Sequence, residues 1–127
     1  MVLGLDHVSV LVTNLTKSVY FYQQMLGLPL QDRPNLGFDG AWLAVGENQS
    51  IHLLCLPSCE VQQTLPAHVG RDRHFALKVV STEAIKQRLM TAGIPFTLSQ
   101  SGRDALFCRD PDGNGVELVA QLANSAA

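Results

Sequence analysis

The chain repeats one order of segments in its two halves. Leu5-Asp6-His7-Val8-Ser9-Val10 opens the first half, and Asp72-Arg73-His74-Phe75-Ala76-Leu77 opens the second. A helix-like stretch ending in glycine follows each opening, Met25-Leu26-Gly27-Leu28 in one half and Thr91-Ala92-Gly93-Ile94 in the other. Each half closes on a hairpin-like pair of strands whose last member carries a metal-ligand residue type. These are His52 in Ile51-His52-Leu53 and Glu117 in Val116-Glu117-Leu118. His7 and His74 stand 67 positions apart, and His52 and Glu117 stand 65 apart, so one spacing relates both pairs. Two copies of one unit, each with a ligand on its first and last strand, can bring four ligands around one point. The repeat therefore predicts a metal site at His7, His52, His74 and Glu117.

With 127 residues, the chain reads as a single domain over 1–127. The repeat divides it into module 1 at about 1–56, a linker at about 57–70 and module 2 at about 71–127. Hydrophobic content of 46% against 16% charge describes a folded chain with a core rather than a disordered one. A net charge of −2 without any basic run excludes a nucleic-acid footprint. No apolar stretch approaches the roughly 18 residues that span a bilayer, and the N-terminus lacks the pattern of a signal peptide. The expectation is a cytoplasmic protein with neither nucleic acid nor membrane as partner. Cys55, Cys59 and Cys108 form no CxxC pair and read as small apolar residues rather than a disulfide framework.

The local signals give the same order twice. Leu3 to Val12 is rich in branched residues and partly alternates, as a half-buried strand does. Thr13 or Asn14 caps a helix carrying Val19, Phe21, Tyr22, Met25 and Leu26, and Gly27 ends it. The Phe21-Tyr22 pair is expected to pack this helix onto its sheet. Leu28-Pro29-Leu30 is extended, and Ala41 to Val45 and Ile51 to Cys55 form a hairpin around Gly46-Glu47-Asn48-Gln49. In the second half, Ser81 is read as the cap of a helix with Ile85, Leu89 and Met90 on one face. The strands at Ala105 to Cys108 and Val116 to Val119 flank Asp110-Pro111-Asp112-Gly113-Asn114-Gly115, a strong turn signal. Each half is thus β-α-β-β-β.

Alternation along these strands sets which side chains accompany the ligands. His7 shares a face with Ser9 and Leu11, His52 with Ser50 and Leu54, and His74 with Ala76 and Lys78. Ser9, Leu54 and Ala76 are therefore predicted cavity residues. His68 reads as a solvated loop residue, and Arg103 and Asp104 as solvent-facing. Arg71 and Arg73 could steer an anionic substrate or simply be solvated.

On these residues the chain resembles the vicinal oxygen chelate superfamily, which includes glyoxalases, extradiol dioxygenases and bleomycin-binding proteins. The carriers are Asp6 to Val10, Ser18 to Tyr22 with Leu26-Gly27-Leu28, Arg73 to Leu77, and Asp110 to Leu118. The resemblance implies an α+β fold of two βαβββ modules, each forming a half-open, barrel-like sheet around a metal cavity. It implies pairing of two chains into a homodimer, ligand positions at His7, His74 and Glu117 with His52 as a fourth, and Trp42 at the site wall. Some branch features are missing. Leu11 stands where glyoxalase I has a glutathione-binding arginine, and the lysine, potassium loop and arginine of the fosfomycin transferases lack clear counterparts.

The function expected from this resemblance is a metal-dependent, glyoxalase-like lyase or isomerase. Its small substrate would chelate a divalent ion (Ni, Mn, Fe, Co or Zn) through vicinal oxygens, with Glu117 or His52 as the catalytic base. Two alternatives are an Fe(II) dioxygenase and a non-catalytic protein that binds a drug or metal complex.

Overall fold

The computed structural model describes residues 1–57 and 64–121, so Cys59 lies outside the described residues. The chain forms two compact units, Met1–Gln62 and Gln63–Ala127. The fold is mixed α+β with two four-stranded sheets, one in each unit.

In the first unit, β1 (His7–Leu11) leads into α1 (Leu15–Tyr20), whose cap is Asn14, with its side chain accepting from the Lys17 N–H. The helix continues as a wider, π-helical turn over Phe21–Met25, and Leu26 and Gly27 finish it. This stretch buries Phe21 and Tyr22, edge to face at 5.1 Å, as a helix packed on a sheet requires. β2 (Leu30–Gln31), β3 (Asp39–Val45) and β4 (Gln49–Cys55) follow. The sheet order is β1-β4-β3-β2, with β1 and β4 parallel and the other pairs antiparallel. A parallel pair needs a crossover, and α1 supplies it. Ala41, Leu43, Ile51 and Leu53 are all buried and share one face with Val10. Each larger one contributes about 1.5–3 kcal/mol through removal of apolar surface from water. His7, Trp42 and His52 therefore share the other face.

The second unit repeats the order. β5 (His74–Val79) precedes α2 (Glu83–Ala92), β6 (Phe96–Leu98), β7 (Ala105–Arg109) and β8 (Gly115–Ala120), arranged β5-β8-β7-β6 with β5 and β8 parallel. Ile85 and Leu89 are buried, but Met90 is 59% exposed and does not share their face. Ser81 caps α2 through its side chain, and Thr82, already helical in φ/ψ, starts the helix without a side-chain cap bond. Ser81 Oγ accepts from the Glu83 N–H, and Thr82 Oγ1 donates to Asp104 Oδ1 at 3.0 Å. Gly93 stops the helix at φ +71°, a conformation that favours glycine. Cys108 behaves as an apolar residue, since burial pushes its thiol up to about 12.

The turn between β7 and β8 is built on Asp110, which is buried. Its Oδ1 accepts from the N–H groups of Asp112 and Asn114, and its Oδ2 accepts from the Asn114 side-chain amide. Arg109 braces the turn by donating to Gly113 O, Pro66 O and Asp72 Oδ2.

Candidate metal centre

The parallel strand pairs set the ligand positions identically in both units. His7 faces Ser50 across the β1–β4 ladder and His74 faces Gly115 across β5–β8. His52 and Glu117 each lie two residues further along, and so on the same sheet face as the histidine before them. The antiparallel partner then adds an aromatic residue, with Trp42 opposite His52 and Phe107 opposite Glu117.

In the second unit, His74 Nε2 lies 3.2 Å from Glu117 Oε1, and Glu117 is only 8% exposed. His74 Nδ1 lies 2.8 Å from the carbonyl oxygen of Asp72. A carbonyl only accepts, so Nδ1 carries a proton that points there, and Nε2 is the ring atom turned toward the carboxylate. Two acceptors this close repel unless a proton or a metal ion sits between them. Ligand bonds of about 2.1 Å meeting near a right angle separate two donor atoms by about 3 Å, so the pair has the spacing of neighbouring ligands. An outer hydrogen bond from Nδ1 is also the usual support of a metal-binding histidine. Asp72, the source of that carbonyl, has its own carboxyl held below the usual range, first by the Arg109 guanidinium and then by the Arg73 N–H.

In the first unit, His7 has the same support, with Nδ1 2.7 Å from Asp6 Oδ2. That bond leaves its Nε2 free. His52 is different: its ring lies flat between His7, at 3.9 Å and 14°, and Trp42, at 4.2 Å and 8°. His52 Nε2 is 3.0 Å from Ser50 Oγ. Burial, then the neighbouring His7, lowers its pKa from 6.5, against the opposing pull of Asp6. Parallel rings keep their in-plane lone pairs side by side, so His7 and His52 converge on one ion only after one ring turns. Within each unit the described residues add no third His, Cys, Asp or Glu to the pair. The donor chemistry of His7, His74 and Glu117 fits a divalent ion of the kind that takes nitrogen and carboxylate ligands.

The other expected cavity residues lie beside these. Ser9 is exposed on β1 opposite His52, Ala76 is exposed on β5 opposite Glu117, and Leu54 is half-buried on β4 opposite Leu11. Within the second unit an open cavity of about 310 Å³ lies over His74 and Glu117, with His68, Arg71, Arg103 and Phe107 among its walls. His68 is thus not a solvated loop residue. It is half-buried, its ring 5.0 Å from Phe107, with Nδ1 accepting from the Gly70 N–H. Nothing periodic marks His68 or Arg103 in the sequence. Phe107 was findable, because it follows Trp42 by the same 65 positions that separate His52 from Glu117.

A family model described as the Glyoxalase/Bleomycin resistance protein/Dioxygenase superfamily matches residues 4–118. Among curated relatives, the chain is 37% identical over 121 residues to "Glyoxylase I 4" of Arabidopsis thaliana, covering 91% of this chain and 69% of that protein. It is 35% identical over 127 residues to "Glutathione transferase FosA" of Serratia marcescens, covering 97% and 85%. Among solved structures, the fosfomycin resistance protein FosX from Listeria monocytogenes superposes with a TM-score of 0.74 at 18% identity, covering 98% of this chain and 96% of that one. That likeness is one of fold.

Proposed function

The chain belongs to the Glyoxalase/Bleomycin resistance protein/Dioxygenase superfamily, and from that premise we propose that it is a metal-dependent, glyoxalase-like lyase or isomerase. Its substrate is a small molecule with oxygens on neighbouring carbons. His7, His74 and Glu117 would hold a divalent ion, with His52 as a further ligand once its ring turns. The identity of the ion, whether Ni, Mn, Fe, Co or Zn, is a matter for measurement. When bound, the ion supplies Lewis acidity to two substrate oxygens. A homodimer, with each site drawing on both chains, is part of the proposal.

The observation that carries this reading is the 3.2 Å approach of His74 Nε2 to the Glu117 carboxylate, with His74 Nδ1 turned to the Asp72 carbonyl. A buried carboxylate facing an open cavity can also handle protons. Glu117 takes a proton from the hydroxyl-bearing C–H next to a substrate carbonyl, as the C–H pair forms a C=C bond and the carbonyl π pair moves onto oxygen. The same carboxylate then returns the proton to the former carbonyl carbon, while the hydroxyl proton passes to the neighbouring oxygen and the first carbon becomes the new carbonyl. Phe107 gives the cavity over Glu117 an apolar wall, which strengthens charge interactions beside it. His52 is the second candidate base, placed beside His7 on the same face. The relative named a glyoxylase supports this class of chemistry.

The test follows solvent deuterium by NMR. Metal-loaded protein is incubated in D2O with dihydroxyacetone, lactaldehyde and the thiol adducts of methylglyoxal. Incorporation at the carbon next to the carbonyl, absent in Glu117→Gln, is expected. No incorporation with any of them, together with oxygen uptake on catechols, would replace this reading with the dioxygenase one. Saturable binding without any product would replace it with a binding protein.

A further inference from the structure

The cavity over His74 and Glu117 carries two guanidinium groups that the proton transfer does not use. Arg71 follows the half-buried His68, and Arg103 lies in the exposed segment between β6 and β7. Both are exposed and line the cavity, whereas Glu117 is buried, so the arginines form its rim and the carboxylate its floor. Among the described residues, neither arginine side chain has an ion pair or a hydrogen bond. The contrast with the other well-defined arginines is clear. Arg109 makes contacts to Asp72, Gly113 and Pro66, and Arg33 donates to Phe38 O while lying over the Phe38 ring.

The nearby acidic groups are occupied. Asp72 is held by Arg109, Asp104 accepts from Thr82, and Glu117, the acidic residue in the cavity lining, faces His74. His68 and the serines of the lining can add donors. His68 Nδ1 accepts from the Gly70 N–H, so its neutral ring carries the proton on Nε2. The Ser99 and Ser101 hydroxyls are 2.8 Å apart, so one proton lies between them and the other is left for a ligand.

We propose that Arg71 and Arg103 bind an anionic oxoacid group of the substrate, so that the substrate class is a small carboxylate, phosphate or phosphonate bearing the chelating oxygens. A guanidinium offers paired N–H groups that match two oxygens of such an anion, and two of them on one rim hold it in a fixed orientation. The proposal rests on the functional reading above in taking the cavity as the substrate site. Its arginine contacts need no metal, so the two can fail separately.

The experiment is a titration of the full chain, freed of metal by dialysis against chelator, with inorganic phosphate and then with propionate. Arginine Nε–H resonances are followed by NMR. Saturable shifts at Arg71 and Arg103 are expected with at least one anion. The affinity should be at least tenfold weaker in R71Q/R103Q, largely recovered in R71K/R103K, and unchanged in R88Q, which alters an arginine of α2 outside the cavity lining. A response to phosphate alone assigns the tetrahedral anions, and an equal response to propionate assigns carboxylates. No saturable shift with either anion, or equal binding by R71Q/R103Q, overturns the proposal. Metal content measured on the same wild-type preparation before dialysis decides the metal reading independently.

Discussion

Trp42 lies flat against His52, ring centroids 4.2 Å apart and planes 8° from parallel. The register of β3 on β4 dictates this contact, because it sets the two residues directly opposite each other on the non-core face. The second unit repeats the arrangement with Phe107 opposite Glu117. Each candidate ligand on a final strand is thus backed by an aromatic side chain from the strand before it.

Trp42 is the one tryptophan of the chain, so its fluorescence reports on the imidazole stacked upon it. Burial and the neighbouring His7 lower the His52 pKa from 6.5. A depressed histidine pKa means that its contribution to stability is present above the unfolded value and lost as pH falls through the folded one. An imidazolium quenches a stacked indole. Emission of metal-free protein should therefore fall on acidification with a midpoint below 6.5. The transition should vanish in His52→Gln. A midpoint at or above 6.5, or a transition that survives the substitution, contradicts the stacked geometry.

Glu117→Gln separates chemistry from stability. The Gln side chain both donates and accepts, so it can keep the contact with His74 Nε2. The variant should melt at the same temperature as metal-free wild type or above it, in scans at pH 8. Its proton-transfer rate should nevertheless fall by about 10²–10⁴-fold. A strongly lowered melting temperature would mean that the carboxylate is structural.

Arg109→Gln tests the outer support of His74. The guanidinium fixes Asp72, whose carbonyl receives the His74 Nδ1 proton. Loss of such support weakens metal affinity by about 10–100-fold, which competition with a calibrated chelator measures. The Asp72 carboxyl lies below its ordinary 3.8, so its contribution is present above that value and lost on acidification below it. Stability of the variant should therefore fall less steeply than wild type at acid pH. Unchanged affinity and an unchanged acid slope would sink the coupling.

Gly113 adopts φ +88°, and a methyl group there would meet Leu65 Cδ1 at 2.6 Å. Gly113→Ala should destabilise the chain by at least about 1–2 kcal/mol from backbone strain alone. Gly102 has φ +84° with open space around it, so Gly102→Ala isolates the backbone part. Denaturant melts should rank Gly113→Ala as the less stable; the reverse order would contradict the packing of the β7–β8 turn.

The element order in both halves was legible because branched runs, caps and glycine stops agree with one another. The Ser81 cap of α2 was legible too, but the bond from Thr82 to Asp104 was not, since Asp104 lies 22 residues away. Met90 shows the limit of helical spacing: its position fits an apolar face, yet only Ile85 and Leu89 meet the core. His7, His52, His74 and Glu117 stood out through the repeat. His68 and Arg103 could not, because no local pattern says which polar loop residue a fold turns toward a cavity. Phe107 is legible only through the repeat with Trp42, since its own strand is apolar from Ala105 to Cys108 and singles out no position.

The most direct test of the metal centre is elemental analysis of the chain, purified without affinity tag or chelator, beside a His7→Ala/Glu117→Ala variant. About one divalent transition-metal ion per chain, absent from the folded variant, is predicted. A wild type that holds no metal and takes none up on dialysis against each ion, or a variant that keeps it, would contradict the assignment.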